Sequence, residues 1–233
     1  YYKDVLKMIV EGIGLIRDCI INFVRFIGNK TGRTDEPYLR LVNSSYRKLV
    51  VLIIVSTIPT GIIGVVGKDV VEMASEILLI PGICLILTAV LLFIADHAKD
   101  GDKLPKGVTY TNAFGVGIAQ GIATLPGLSR SGTTITACLL SGFNRNFAVK
   151  YSFLMSIPAI LGALVLELKD YTAAALSGAE IAYYVVGMIV AAVVGYVCIK
   201  TMLIVVRRKK FTGFAIYCLI VGVISIGGYI YMA

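Results

Sequence analysis

Tryptophan is absent from this 233-residue chain, histidine occurs once, and charged residues make up only 15% of it. Segments in which polar and apolar residues alternate, the pattern of a half-buried strand, are also missing. Apolar residues dominate instead, with 58% of the chain hydrophobic and a mean hydropathy of +0.87. This surplus excludes a soluble globular domain. It indicates an all-α integral membrane protein, because helices satisfy their own backbone groups in lipid.

Basic residues outnumber acidic ones and give the chain a net charge of +8. In a soluble protein this excess would suggest nucleic acid as a partner. Here most of the Lys and Arg residues lie in short connections between apolar runs, as they do on the cytoplasmic side of membrane proteins. We therefore expect membrane lipids, and not nucleic acid, to be the partners of this charge.

Five apolar runs are long enough to cross about 30 Å of hydrocarbon. They lie at about 48–67, 77–95, 150–167, 179–206 and 212–232. Residues 1–27 differ, since charged residues recur there at spacings of three and four, with apolar residues opposite. This pattern predicts an amphipathic helix that lies in the membrane interface with Glu11 facing solvent. The whole chain, 1–233, is predicted to form one transmembrane domain, a multi-span helical bundle.

The segment 113–142 is apolar but interrupted. The stretch PGLSRSGTT at 126–134 divides it into pieces of 13 and about 11 residues. At 1.5 Å per residue each helical piece would cover only about 16 to 20 Å, so neither crosses the membrane alone. Two arrangements remain: one kinked crossing, or a hairpin that enters and leaves on the same side.

The distribution of loop charge decides between these arrangements. If 113–142 enters and leaves on one side, the connections on that side hold fourteen Lys and Arg residues and the opposite connections hold two. A single crossing would instead place the cluster RRKK at 207–210 on the outer side. The positive-inside rule therefore predicts a re-entrant helical hairpin that enters from the cytoplasm and turns near the midplane at PGLSRSG.

Arg130 lies at the turn of this predicted hairpin. An arginine near the bilayer centre costs at least about 2.5 to 3.5 kcal/mol and cannot lose its charge, so it needs an anionic partner. No carboxylate lies in or beside the motif. The next residues begin a helix whose free N–H groups, hydroxyls and positive dipole end favour phosphate: Ser131, Gly132, Thr133 and Thr134. Gly127 and Gly132 would let the backbone approach such a ligand closely.

A plainer structural role is open to each of these residues. An internal ion pair would hold Arg130, and the hydroxyls of Ser129, Ser131 and Thr134 would cap the helix. Gly117 and Gly121, four residues apart, suit a helix-packing face. The one histidine, His97, lies in IADHAKD among charges at a membrane edge, which indicates an interfacial side chain and not a catalytic base. The convergence of several polar groups on one arginine favours a site.

Three stretches carry a resemblance to a known family. They are GIAQGIATLPGLSRSGTT at 117–134, STIPTGIIG at 56–64 and SFLMSIPAILGA at 152–163. Together with the order of the spans, they resemble the bacterial undecaprenyl-diphosphate phosphatase family of the bacitracin-resistance type. The resemblance implies an inverted repeat in which two re-entrant hairpins meet around a diphosphate. It also implies hydrolysis of undecaprenyl diphosphate to undecaprenyl phosphate and phosphate, in the inner membrane, which recycles the lipid carrier of cell-wall synthesis.

The resemblance also implies roles for individual residues. Arg130 would grip the diphosphate, while Ser129, Ser131 and Thr134 would hydrogen-bond or position it. Gln120 stands where the matching segment of the first repeat carries a glutamate, and is expected to be a hydrogen bonder and not a base. Whether water, a serine or a histidine attacks the phosphorus stays open.

The family's first hairpin is not found in these residues. Its E-x-x-x-E pattern and its P-x-S-S-T-G-H segment do not occur in the chain. We expect these N-terminal repeat elements to precede Tyr1, and to carry the histidine and the carboxylates that would hold a divalent cation, Mg or Ca. The sequence leaves a homodimer open.

Other functions compete with a phosphatase. A transporter or flippase for a phosphorylated lipid or another anion would use the same broken half-helices to bind an anion at the midplane. A non-catalytic scaffold also stays open for this chain. The acid-phosphatase-like lipid phosphatases, which also use a Ser-Arg pair, are excluded because they need histidines in P-S-G-H and after the S-R, and neither occurs here.

Overall fold

A computed structural model describes residues 2–32, 35–170, 178–207 and 211–232. Within these ranges the chain forms α-helices and no β-strand, so the predicted all-α fold is confirmed. The helices are α1 Tyr2–Lys30, α2 Ser45–Val66, α3 Lys68–Glu76, α4 Leu79–His97, α5 Tyr110–Ile122, α6 Arg130–Leu140, α7 Arg145–Asp170, α8 Gly178–Arg207 and α9 Thr212–Met232. A short 3-10 turn, Pro105–Gly107, precedes α5.

Five of the described helices are long and apolar enough to cross a membrane. They are α2, α4, α9, Arg145–Glu167 of α7 and Glu180–Thr201 of α8. Each of the five apolar runs in the sequence coincides with one of them, and the chain is a multi-pass membrane protein. The short helix α3 lies where the sequence indicated only a connection. Residues 208–210 of the RRKK cluster lie outside the described residues.

Helix α1 attaches to the bundle through its acidic face. Asp4, Glu11 and Asp18 recur every seven residues and point at the starts of α2 and α7. Arg47 of α2 bonds both Glu11, at 3.0 Å, and Asp18, which is 5% exposed. The expectation that Glu11 faces solvent was therefore wrong, because a guanidinium on the next helix pairs with it. The apolar side of α1, which includes Ile13, is exposed, as an interfacial helix requires.

The ion pair affects the titration of Asp18. Hydrogen bonds from the guanidinium groups of Arg47 and Arg17 hold the pKa of Asp18 below its usual value of 3.8. A lowered pKa means that the contact stabilises the folded state fully above pH 3.8. That stabilisation is lost as the pH falls through the lowered pKa.

The core of the bundle is built from buried residues of α2, α4, α5, α6, α7 and α9. Tyr151 of α7 is fully buried, and its hydroxyl donates to the carbonyl of Leu52 at 2.9 Å. Phe143 and Phe147 pack beside its ring, with centroids 5.6 and 5.9 Å away. This aromatic cluster fixes the start of α7 against α2, and thereby one wall of the cavity described below.

Helix α5 lies directly on α2, with small residues at the contact. A Cβ at Gly117 would come within 2.1 Å of the carbonyl oxygen of Ser56, so only glycine fits there. A Cβ at Gly121 would lie 2.7 Å from Ile63. Thr60 of α2 donates its hydroxyl to the carbonyl of Gly117 at 2.8 Å. The helix-packing interpretation of these two glycines is confirmed.

We expect Arg47→Gln to release α1 from the bundle, because the carboxylates of Glu11 and Asp18 lose the guanidinium that they share. Hydrogen exchange of α1 in detergent at pH 7 should accelerate by about tenfold or more. Arg17→Gln is the control, because Arg17 bonds the same Asp18 but its side chain is 71% exposed. Equal exchange in the two variants would show that the Arg47 contact does not hold the helix.

Candidate functional site

The motif PGLSRSGTT lies between two short helices, α5 and α6, of 13 and 11 residues. Thr109 and Asn112 form a capping box that begins α5. Ser129 caps α6, because its hydroxyl oxygen accepts from the N–H of Gly132 at 3.2 Å. The cap makes Arg130 the first residue of α6. At 1.5 Å per residue, the helices are about 20 and 17 Å long, the half-length pieces that the sequence predicted.

Helix α4 holds the turn between these two helices. The buried hydroxyl of Thr88 donates to the carbonyl of Gly127 at 3.0 Å and accepts from the N–H of Ser129 at 2.9 Å. Gly127 has a φ of +86°, in the left-handed region that glycine enters without strain. A Cβ there would also lie 2.4 Å from the carbonyl oxygen of Pro81. The turn is therefore set by one hydroxyl and one glycine, both outside the serine-arginine pair.

Arg130 and Gln120 face a cavity of about 560 Å³ bounded by α2, α3, α5, α6 and α7. Small and apolar residues form most of its wall. The remaining lining residues are Thr57, Thr60, Gly61, Gly64, Val65, Lys68, Val71, Glu72, Thr124, Pro158, Ala159, Gly162, Ala163, Leu166 and Glu167. Its volume and its few polar groups are typical of a site for a small molecule or for the head of a lipid.

Arg130 differs from the buried arginines of the bundle. Arg47 is paired with Asp18, and Arg145 with Asp100 at 2.6 Å. Among the described residues, the half-buried guanidinium of Arg130 forms no ion pair and no hydrogen bond. The internal ion pair that the sequence left open is therefore not found in this part of the chain. A charge in such surroundings leaves its donors available to an anion from outside.

Two carboxylates, Glu72 and Glu167, line the same cavity as Arg130. The sequence indicated only that they are charges at the ends of loops and spans. Across the described ranges, no three His, Cys, Asp or Glu side chains come together in a group that could hold a metal ion. A divalent cation completes its set of oxygen ligands with waters and substrate phosphates, so these two carboxylates would supply only part of such a set.

The hydroxyls of Ser129 and Thr134 are directed into the protein. None of the motif's hydroxyl residues belongs to the cavity lining. Thr134 is 1% exposed; its hydroxyl lies 2.6 Å from that of Ser152 and donates to the carbonyl of Arg130. Thr133 is 9% exposed and its hydroxyl has no partner among the described residues. Ser131 is partly exposed beside Arg130. The capping role is confirmed for Ser129, and the catalytic roles stay predictions.

Gly132 and His97 also lie away from the cavity lining. A Cβ at Gly132 would lie 3.1 Å from the side chain of Leu92. The close neighbour of this glycine, like that of Gly127, is therefore α4. His97 is exposed at the end of α4, where its ring nitrogen lies 2.9 Å from the carbonyl of Phe93.

The sequence did not predict several residues of the cavity as site residues. Thr57, Thr60, Gly61 and Gly64 belong to STIPTGIIG, and Pro158, Ala159, Gly162 and Ala163 belong to SFLMSIPAILGA. These are the two stretches that carry the resemblance outside the hairpin. A sequence signal for this wall therefore existed, although nothing local showed that α2 and α7 face Arg130.

The chain was compared with known proteins. The family model described as bacitracin resistance protein BacA matches residues 13–224. A protein of Halothermothrix orenii, described as undecaprenyl-diphosphatase, is 43% identical over 180 residues, which cover 77% of this chain and 70% of the relative. A protein of Carboxydothermus hydrogenoformans with the same description is 42% identical over 81% of this chain and 73% of its own length. A protein of Methanosphaera stadtmanae, also described as undecaprenyl-diphosphatase, is 39% identical over 97% of this chain and 77% of its own length.

We expect Thr88→Val to lower the free energy of unfolding by about 1 to 3 kcal/mol, because two partly buried backbone groups at the turn lose their partner. Thermal unfolding of the protein in detergent measures the change. Thr88→Ser keeps the hydroxyl and should stay near the wild-type value. A loss in Thr88→Ser as large as that in Thr88→Val would show that the two hydrogen bonds do not account for the effect, because serine keeps the hydroxyl.

Proposed function

Because the chain belongs to the bacitracin resistance protein BacA family, we propose that it hydrolyses undecaprenyl diphosphate to undecaprenyl phosphate and phosphate. This reaction recycles the lipid carrier of cell-wall synthesis. The descriptions of the relatives support it, since each of those compared is an undecaprenyl-diphosphatase. The observation that carries the proposal is the guanidinium of Arg130, which lies at the cavity without a partner among the described residues.

The shape and polarity of the cavity suit a prenyl diphosphate. The substrate has a strongly anionic head on an apolar chain. Arg130 offers the head a planar fork of N–H donors, which fits two phosphate oxygens at once. Gly61, Gly64 and Gly162 line the wall, and a Cβ at any of them would meet open space. That space leaves room for an apolar chain beside the head group.

Charge stabilisation is the main contribution that we assign to Arg130. As the bond to the leaving phosphate breaks, charge spreads over the oxygens of the transferred and leaving groups. A fixed cation in a site with apolar walls stabilises that charge more strongly than water does. The hydroxyl of Thr134 already bonds Ser152 and a carbonyl, which supports a positioning role for Thr134 over a nucleophilic one.

A divalent cation, Mg or Ca, remains part of the proposal, and we derive no step through it. It would neutralise charge on the diphosphate. The proposed location is the inner (plasma) membrane. The charged residues Lys68, Glu72 and Glu167 at the cavity support an opening toward the outer side, where the loop charges place them. We also propose a second copy of the chain, in a homodimer, as a partner.

A transporter is the second candidate, because Arg130 lies at the break between two half-length helices. Transporters bind anions at such breaks. The two functions differ in what happens to the substrate. A phosphatase releases inorganic phosphate from a prenyl diphosphate in detergent, whereas a transporter needs two compartments and leaves the anhydride intact.

We expect the complete protein in detergent to release phosphate from undecaprenyl diphosphate, and Arg130→Lys to lose at least about 90% of kcat/KM. The ammonium of lysine is a point charge that cannot contact two oxygens in one plane. Arg17→Lys is the matched control on the exposed side of α1 and should retain wild-type turnover. Near-normal turnover in Arg130→Lys would contradict the site, and intact diphosphate with the wild type would favour the transporter.

A further inference from the structure

Gln120 is the only glutamine in the chain and one of its most deeply buried polar residues. It lies on α5, is 1% exposed and lines the cavity with Arg130. Its amide nitrogen lies 3.5 Å from the carbonyl oxygen of Met155 on α7. A carbonyl must face a donor, so this contact turns the NH2 group toward α7 and sets the orientation of the oxygen. The side-chain oxygen, Oε1, has no hydrogen-bond partner among the described residues.

The contact with α7 is made beside a proline. Pro158 has no N–H, so it cannot donate to the carbonyl of Leu154, four residues earlier. The side chain of Gln120 therefore meets α7 at an interrupted turn. The acceptor without a donor among the described residues is Oε1 of Gln120. A buried acceptor of this kind is rare in native proteins and calls for a ligand or a water molecule as its donor.

The cavity itself supplies no hydroxyl that is free to donate to Oε1. Each of its three threonines gives its hydrogen to a helix carbonyl. Thr57 donates to Ile53 at 2.8 Å, Thr60 to Ser56 at 2.9 Å and Gly117 at 2.8 Å, and Thr124 to Gly121 at 2.7 Å. These hydroxyl oxygens, like the side-chain oxygen of Gln120, can therefore only accept hydrogen bonds from a molecule in the cavity.

The chemistry of the ligand narrows the choice of donor. The oxygens of an ionised diphosphate accept hydrogen bonds and do not donate them. They suit Arg130 and do not suit the oxygen of Gln120. What complements an acceptor beside a bound diphosphate is an O–H group. In a hydrolysis, the O–H group that must be placed close to the phosphorus is that of the attacking water.

We propose that Gln120 positions the attacking water, an inference that rests on the proposed hydrolysis. The water donates one O–H to Oε1 of Gln120, and its oxygen attacks the terminal phosphorus. A new P–O bond forms, the bond from that phosphorus to the bridging oxygen breaks, and its electron pair leaves with the polyprenyl phosphate. Both hydrogens of the water finish on the released phosphate, so the trianionic diphosphate gives a monophosphate dianion and dihydrogen phosphate. Gln120 keeps its protons throughout and is a positioning residue.

The amide suits this position better than a carboxylate would. A glutamate in its place would also accept from water, but its negative charge would neutralise Arg130 and repel the diphosphate. An uncharged acceptor orients the water and leaves the cation available to the phosphates. Gln120→Glu should therefore weaken the binding of a diphosphate, whereas removal of the acceptor should not.

The test separates binding from turnover. Gln120→Met is close in size and has no comparable acceptor. In the complete protein, kcat for undecaprenyl diphosphate should fall at least tenfold in this variant. The Kd for a prenyl methylenediphosphonate, which binds but has no bridging oxygen to break, should stay within twofold of the wild type. Gln120→Glu should instead raise that Kd severalfold.

Ser156→Ala is the matched control, because Ser156 directly follows Met155, donates its hydroxyl to the carbonyl of Phe153 with no other partner in the described part of the chain, and does not line the cavity. It should retain wild-type kcat and Kd. Gln120→Ala, which removes the same acceptor without filling its space, is the second variant. The comparison uses whichever variant keeps the wild-type melting temperature.

Two results would overturn the inference while the proposed function stands. One is a kcat within twofold of the wild type in the variants without the acceptor. The other is a Kd for the phosphonate that rises in parallel with the fall in kcat, since Gln120 would then contact the diphosphate itself. A wild-type protein that releases no phosphate would overturn both the function and the inference.

Discussion

The fold is organised around one unpaired charge, the guanidinium of Arg130 beside an apolar-walled cavity. The buried arginines Arg47 and Arg145 have carboxylate partners within the protein. Their charges are neutralised inside the bundle and serve packing. Arg130 has no such partner in the described part of the chain, and burying a charge without one is expensive. An anionic ligand would supply the partner that the protein does not, and this contrast is the physical basis of our proposal that Arg130 binds a phosphate.

The position of that charge depends on parts of the chain far from the motif. Helix α4 holds the turn through Thr88, and Gly127 lets the backbone come against Pro81. The cap by Ser129 then makes Arg130 the first residue of α6, with its side chain at the cavity. The hydroxyls of Ser129 and Thr134 are used for this construction, because they bond the backbone or the neighbouring helix. The serine-rich part of the motif supports the arginine more than it contacts the ligand space.

The rest of the cavity follows from how closely helices can approach. Glycines let α5 lie against α2, and the interrupted turn at Pro158 meets Gln120 from the other side. As a result, the cation of Arg130 and the acceptor of Gln120 lie at the same cavity, both unpaired in the described part of the chain. The first complements a diphosphate and the second complements a water molecule. At the start of α2, ion pairs hold helix α1, which keeps its apolar face exposed. Charge thus attaches the interfacial helix, while the hydrophobic surface remains for lipid.

The sequence by itself determined the all-α membrane fold, the five apolar helices, the two short helices, the cap at Ser129 and the position of Arg130 at the break between the short helices. These follow from the length of the apolar runs, the spacing of apolar residues and the cost of a charge in lipid. Each of these is a property of a single segment of the chain. The tertiary structure decided which side chains lie opposite each other. It paired Glu11 with Arg47, turned Thr134 toward Ser152, and brought Glu72 and Glu167 to the cavity. It also left Gln120 with a free acceptor. Such partners come from other helices, and the local pattern of a membrane helix does not encode which neighbour its polar side chains will meet.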